Sequence, residues 1–234
     1  MKIKYLMLIP ILLSWAISGC QKDECYQAYK TDNYQDVLKL CTDPCRSNDS
    51  KSCYYLGFLY STGHGVKQDY SQAKYYFEKS CIQNEGMGCF QLGRLFYLGF
   101  GVPKNYDSAL PYFRKGCNLD DGDSCWAVST YDIDRRENLE KACALNSNIG
   151  CYYLADLYQY SSDLPITKET ARTYYEKSCS LKYGDGCLKL AKFYNDGQMV
   201  RQNKATAKEY YGKACDYGEK TGCDDYRKLN EQGY

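Results

Sequence analysis

Fifteen cysteines in 234 residues dominate the side chains that could do chemistry. Six pairs share a spacing of eight: Cys45 with Cys53, Cys81 with Cys89, Cys117 with Cys125, Cys143 with Cys151, Cys179 with Cys187, and Cys215 with Cys223. Successive pairs step by 36 residues, except for a step of 26 between Cys117 and Cys143. No pair has the short CxxC spacing of a zinc site and the only histidine is His64, so neither a metal nor another cofactor is expected. Disulfide chemistry remains, and geometry restricts it. In an unbroken helix residues eight apart lie about 12 Å apart, while a disulfide spans roughly 4.4–6.8 Å between Cα atoms. A turn must interrupt each pair, and turn residues are present at Asn84-Glu85-Gly86, Asp120-Asp121-Gly122, Asn146-Ser147-Asn148, Tyr183-Gly184-Asp185-Gly186 and Glu219-Lys220-Thr221-Gly222.

Cys25 and Cys41 form the expected seventh pair. Aligning Tyr34 with Tyr70 and Tyr106 puts Cys41 where Phe77 and Phe113 stand, and Tyr29 matched to Tyr60 puts Cys25 near the place of Leu56. That bridge would join the two helices of an abbreviated first repeat.

Nucleophilic motifs are present and misplaced. Penicillin-recognising serine enzymes combine Ser-x-x-Lys, Ser-Asp-Asn and Lys-Thr-Gly; this chain has Ser71-Gln72-Ala73-Lys74, Thr31-Asp32-Asn33 and Lys220-Thr221-Gly222. In the next repeat the equivalents of Ser71 and Lys74 are Asp107 and Leu110, and no strand is readable to hold the Lys-Thr-Gly. His64, between Gly63 and Gly65, reads as an exposed turn residue, and Asp120 to Asp123 as a solvated turn and helix cap. No catalytic residue is assigned.

The elements that position these groups repeat with the cysteines. A helix A is expected to begin at each second cysteine, as in Cys53-Tyr-Tyr-Leu-Gly-Phe-Leu-Tyr60, Cys89 to Phe96, Cys151 to Tyr158 and Cys187 to Tyr194. Its inward stripe is the cysteine with Leu56, Gly57 and Tyr60 or their equivalents, the i, i+3, i+4, i+7 pattern. After Gly63-His64-Gly65-Val66 or Gly99-Phe100-Gly101-Val102 the chain reverses into a helix B, expected over Tyr70–Cys81, Tyr106–Cys117, Thr167–Cys179 and Lys204–Cys215. A regular period of this length marks a helical repeat array, with most tyrosines in the core.

Lys2 and Lys4, an apolar run from Tyr5 to Trp15 and Ile17-Ser18-Gly19-Cys20 read as a leader over 1–19. The run is short of the roughly 20 residues that span a bilayer. Cys20 is the expected lipidation site, in a 20–24 anchor segment, leaving fourteen cysteines to pair. Thirty basic residues balance 29 acidic ones, which argues against nucleic acid as a partner.

The string Leu56-Gly57-x-Leu59-Tyr60-x-x-Gly63-x-Gly65-Val66, followed by Tyr70-x-x-Ala73-x-x-Tyr76, resembles the Sel-one-like repeat, and the cysteine spacing is similar to that of the Helicobacter cysteine-rich protein family. The resemblance implies an all-α fold: an αα-hairpin solenoid, a right-handed superhelix of 36-residue repeats stapled by disulfides, over 25–234. Its units would be 25–52, 53–88, 89–124, a shortened 125–150, 151–186, 187–222 and a capping helix 223–234. It further implies a concave surface lined by the A helices and a secreted or periplasmic location; together with the expected lipidation of Cys20, the expected form is an outer-membrane lipoprotein in the periplasm or at the cell surface, or its released, secreted form.

On helix A the second, sixth, ninth and tenth places from the cysteine form a stripe not committed to the core. The binding residues expected there are Tyr54, Phe58, Phe90, Arg94, Tyr97, Trp126, Thr130, Tyr152, Asp156, Gln159 and Lys192. Aromatics mixed with a few charges suit a binding surface. The expected function is a binding or adaptor module for a protein or peptide of the host or the cell envelope, membrane-attached through lipid alone. The alternative, implied by some members of the cysteine-rich family, is a penicillin-binding protein with weak β-lactamase activity, taking a β-lactam or a peptidoglycan-derived small molecule.

Overall fold

The computed structural model describes residues 23–160 and 168–234. The expected leader, Cys20 and the expected helix start at Thr167 lie outside them. Among the described residues the secondary structure is helical throughout, without a strand. The described residues divide into two compact units, parted between Leu119 and Asp120.

The first unit holds α1 (described over 23–30), α2 (Tyr34–Arg46), α3 (Ser50–Thr62), α4 (Tyr70–Ile82), α5 (Gly86–Leu98) and α6 (Tyr106–Asn118). The second holds α7 (Gly122–Ser129), α8 (Arg135–Ala144), α9 (Asn148–Tyr160), α10 (Lys168–Ser180), α11 (Gly184–Asp196), α12 (Lys204–Asp216) and α13 (Lys220–Glu231). In each unit consecutive helices pack on one another as hairpins of a solenoid. The hairpin of α7 and α8 is the shortened repeat, with eight and ten residues where the full-length helices have thirteen.

Each A helix begins three residues before its cysteine, at Ser50, Gly86, Gly122, Asn148, Gly184 and Lys220, rather than at the cysteine itself. The unit boundaries expected at Cys53, Cys89 and their equivalents therefore fall inside helices. The cause is the staple. Cys81 is the last residue but one of α4 and Cys89 the fourth of α5, so a three-residue turn between the helices leaves their Cα atoms 4.5 Å apart. The separations are 4.8 Å for Cys45–Cys53, 4.4 Å for Cys143–Cys151, 4.7 Å for Cys179–Cys187 and 4.6 Å for Cys215–Cys223. Cys25–Cys41 joins α1 to α2 at 5.1 Å. Cys117 and Cys125 are disulfide-bonded as well.

The tight turn demands a left-handed residue, and the same place supplies one in every repeat: Asn48, Asn84, Asp120, Asn146, Lys182 and Gly218 all have positive φ. Asparagine and glycine suit it, because the first bonds locally and the second has no Cβ. Helix starts are capped where the sequence allows. Asp49 accepts from Ser52 N, Asp69 from Ser71 N and Gln72 N, Asn105 from Ser108 N, and Asn203 from Thr206 N.

A hairpin closes on one repeated ring stack: Tyr60–Tyr76, Phe96–Tyr112, Tyr158–Tyr174 and Tyr194–Tyr210, with centroids 5.5–5.7 Å apart. Beneath each stack lies one buried ring of helix B: Phe77, Phe113, Tyr175 or Tyr211. The tyrosines of these stacks and buried rings are thus structural.

Candidate binding surface

The stripe expected to bind divides by side-chain environment. In the first unit Tyr54 is only 7% exposed, its ring held by Tyr29 at 6.2 Å and Phe77 at 6.1 Å. Burial pushes its phenol well above the ordinary tyrosine range, so Tyr54 supports the surface from below and does not form it. Phe58 is half-buried, edge-on to Tyr29 at 5.5 Å. Phe90 is also half-buried, 5.9 Å from Phe113. Tyr97 is exposed, edge-on to Tyr106 at 5.2 Å. The exposed Arg94 guanidinium lies 5.7 Å from the Phe90 ring and donates to Gln91 Oε1 at 2.9 Å.

Phe58 and Arg94 meet in one cleft of about 140 Å³ between α3, α4 and α5. Phe77 and Leu95 are buried beneath it, Ser61, Thr62 and Tyr70 line one side, and Gln91, Leu98 and Phe100 the other. Leu98 holds the tenth place of the expected stripe, while Tyr70, the first residue of α4, and Phe100, in the turn after α5, come from outside helix A. One signal pointed to Phe100: a large apolar residue between Gly99 and Gly101, where the previous repeat has His64. It is 41% exposed and stacks on Tyr70 at 5.0 Å, as His64 stacks on Tyr34 at 4.7 Å.

In the second unit the expected contacts turn largely inward. The Tyr175 hydroxyl donates to Asp156 and has Gln159 Oε1 at 2.7 Å. Lys189 Nζ approaches the Asp156 carboxylate to 3.4 Å and lies over the rings of Tyr160 and Tyr175. Burial first, then the hydrogen bond to Asp156, drives the Tyr175 phenol far above its usual range. Asp156 and Gln159 thus satisfy a buried phenol instead of facing a ligand. A polar network in a hydrophobic hairpin must be closed in this way, since an orphaned hydroxyl costs about 1–3 kcal/mol. Tyr152 is half-buried among Tyr153, Tyr175 and Tyr183. Trp126 is half-buried and stacks on Tyr153 at 6.0 Å. Thr130 is exposed with its hydroxyl on the Ala127 carbonyl at 2.7 Å, and Lys192 is exposed on α11. Arg94 and Trp126 belong to different units.

The serine-enzyme triplets have local structural roles. Ser71 is an exposed first-turn residue whose backbone N–H is capped by Asp69, and Lys74 Nζ lies 5.9 Å from the Phe96 ring. Asp32 accepts from the Tyr34 hydroxyl at 2.7 Å and Asn33 donates to Asp36 at 2.7 Å. Lys220-Thr221-Gly222 opens α13, a helix and not a strand. Among the described residues no three His, Cys, Asp or Glu side chains are grouped to hold a metal ion, and no helix is long and apolar enough to cross a membrane.

A family profile described as Sel1 repeat matches residues 50–85, 86–121, 149–183 and 184–218, more than half of the chain. The shortened hairpin lies mostly between the matched segments. No curated protein matches. Among solved structures, a Sel1 repeat protein from Oxalobacter formigenes is 19% identical over 90% of this chain and 97% of its own, with a TM-score of 0.72. The immunity protein Pa5087 from Pseudomonas aeruginosa is 16% identical over 86% of this chain and 87% of its own, with a TM-score of 0.62. Helicobacter pylori cysteine rich protein B is 32% identical over 54% of this chain and 98% of its own, with a TM-score of 0.44.

Proposed function

The chain belongs to the Sel1 repeat family, whose members are commonly protein-interaction modules, and from that premise we propose that it binds a protein or peptide through the cleft between α3, α4 and α5. One observation carries the reading. Leu98 and Phe100, 38% and 41% exposed, border a cleft floored by Phe77 and Leu95. Large apolar side chains held at a rim by their neighbours lose little entropy on binding, and covering them removes apolar surface from water at about 25 cal/mol per Å².

The content of bonded cysteines suits an oxidising, extracytoplasmic compartment. The finer reading, an exported lipoprotein acylated at Cys20, rests on the Ile17-Ser18-Gly19-Cys20 stretch behind the short apolar run. Mass spectrometry of the mature N-terminus tests it, and an unmodified cysteine or cleavage elsewhere would refute it.

For binding, peptides selected from a random display library on the oxidised protein should lose at least about tenfold in affinity for the Leu98→Ser/Phe100→Ser protein. They should bind unchanged to Ile133→Ser, a substitution at a fully exposed apolar residue of the second unit. Equal binding to the Leu98→Ser/Phe100→Ser protein, with its melting temperature retained, would place the contact elsewhere and end this reading.

A further inference from the structure

We propose that the α3–α4–α5 cleft receives the C-terminal residue of a peptide, its apolar side chain inside the cleft and its α-carboxylate on Arg94; this rests on the binding function above.

Arg94 is the charged residue among those that line the cleft, the others being Phe58, Ser61, Thr62, Tyr70, Phe77, Gln91, Leu95, Leu98 and Phe100. Among the described residues its guanidinium meets one amide oxygen, Gln91 Oε1, and one ring face, Phe90. No carboxylate pairs with it. At the corresponding place of α9 the opposite holds, since Asp156 is balanced by Lys189 and the Tyr175 hydroxyl. A guanidinium has five donors in a planar fork that fits a carboxylate through two parallel hydrogen bonds, and only one donor is engaged by Gln91. The charge complement of this cleft is an anion.

The dimensions select which anion. A cleft of about 140 Å³ takes one side chain, where sites for larger small molecules run to roughly 300–1,000 Å³. The carboxylate must therefore come with the residue whose side chain fills the cleft. An internal Asp or Glu does not satisfy this: in an extended peptide its immediate neighbours point to the opposite face, and the next side chain on the same face is about 7 Å away. A C-terminal Leu, Ile, Met or Phe presents both groups from one Cα.

The test uses the oxidised mature chain and a synthetic array of N-acetylated hexapeptides, each made as the free acid and as the C-terminal amide, read by fluorescence polarisation. Binders should end in an apolar residue, and amidation should weaken them by at least about tenfold, the worth of a charge-assisted pair. Arg94→Gln should remove the preference for the acid while keeping the melting temperature, and Arg94→Lys should retain part of it. If acid and amide bind alike, or the preference survives Arg94→Gln, the carboxylate inference is overturned and the cleft still binds peptides. If no peptide binds in either form, the binding function itself falls, and this inference with it.

Discussion

The ring of Phe77 occupies the space that a side chain on Gly57 would need: a Cβ built there lies 2.6 Å from the ring. Gly93 stands in the same relation to Phe113, also at 2.6 Å. In the second unit the corresponding pairs are Ala155 with Tyr175 and Ala191 with Tyr211, all buried. A small residue on helix A is thus what lets helix B seat a full ring beneath the aromatic stack. In the first unit that ring is also the floor of the cleft.

Gly57→Ala should therefore destabilise the first unit by up to about 2 kcal/mol, the usual overpacking cost of about 1–3 kcal/mol less the helix-propensity gain of about 1 kcal/mol that alanine brings elsewhere. Thermal melting by circular dichroism measures it. A rise in melting temperature would mean that Phe77 moves aside at no cost.

Removing the Cys81–Cys89 staple as Cys81→Ala/Cys89→Ala should cost about 2.5 kcal/mol, and Cys25→Ala/Cys41→Ala about 3 kcal/mol, since the loop closed by the second is longer at 16 residues of separation against 8. Denaturant midpoints of the oxidised variants compare the two. Equal losses would show that chain entropy does not govern these bridges.

Lys182 occupies the left-handed turn position with φ 65° and its side chain is exposed. Lys182→Gly should stabilise the protein by about 0.5–1 kcal/mol, because glycine adopts that conformation without the Cβ clash. The same exchange at Gly218 in reverse, Gly218→Lys, should destabilise. Urea titration of both variants checks the pair of signs.

Alkaline pH should unfold the chain through its buried phenols. Burial, then the neighbouring Tyr29 and Tyr26, pushes Tyr55 up to about 12, and burial, then Asp225 and Asp196, does the same for Tyr211. In the unfolded chain both would ionise near 10. The folded state then binds more protons than the unfolded one above about pH 10, so stability is fully present below that pH and is lost as pH rises toward about 12. Melting temperature should be flat up to about pH 9 and fall above about pH 10, and Tyr211→Phe should make the fall shallower. A profile unchanged by Tyr211→Phe would show that Tyr211 ionises in the folded state as freely as in the unfolded one.

The sequence by itself determined what is local and periodic. Eight-residue cysteine spacing with turn residues inside it dictated that a turn separates helix B from the next helix A, because no straight helix brings residues eight apart within disulfide reach; the start of helix A, three residues before its cysteine, came from the structure. The glycine and alanine place on helix A and the paired aromatics on helix B marked the hairpin, since a 3.6-residue period puts them on one face. The tertiary structure decided what those faces meet. Tyr54 shares the periodic place of Phe90, yet it lies against Tyr29 and Phe77 in the core. Asp156 and Gln159 share a face with Tyr152 and are spent on the Tyr175 phenol of the next helix. Arg94 keeps an unbalanced charge, beside a cleft completed by Phe100 from a turn outside any helical period. A stripe along one helix says which side chains leave the backbone in one direction; whether each ends in core, network or water depends on which residue types the neighbouring helices, non-local in sequence, bring against it.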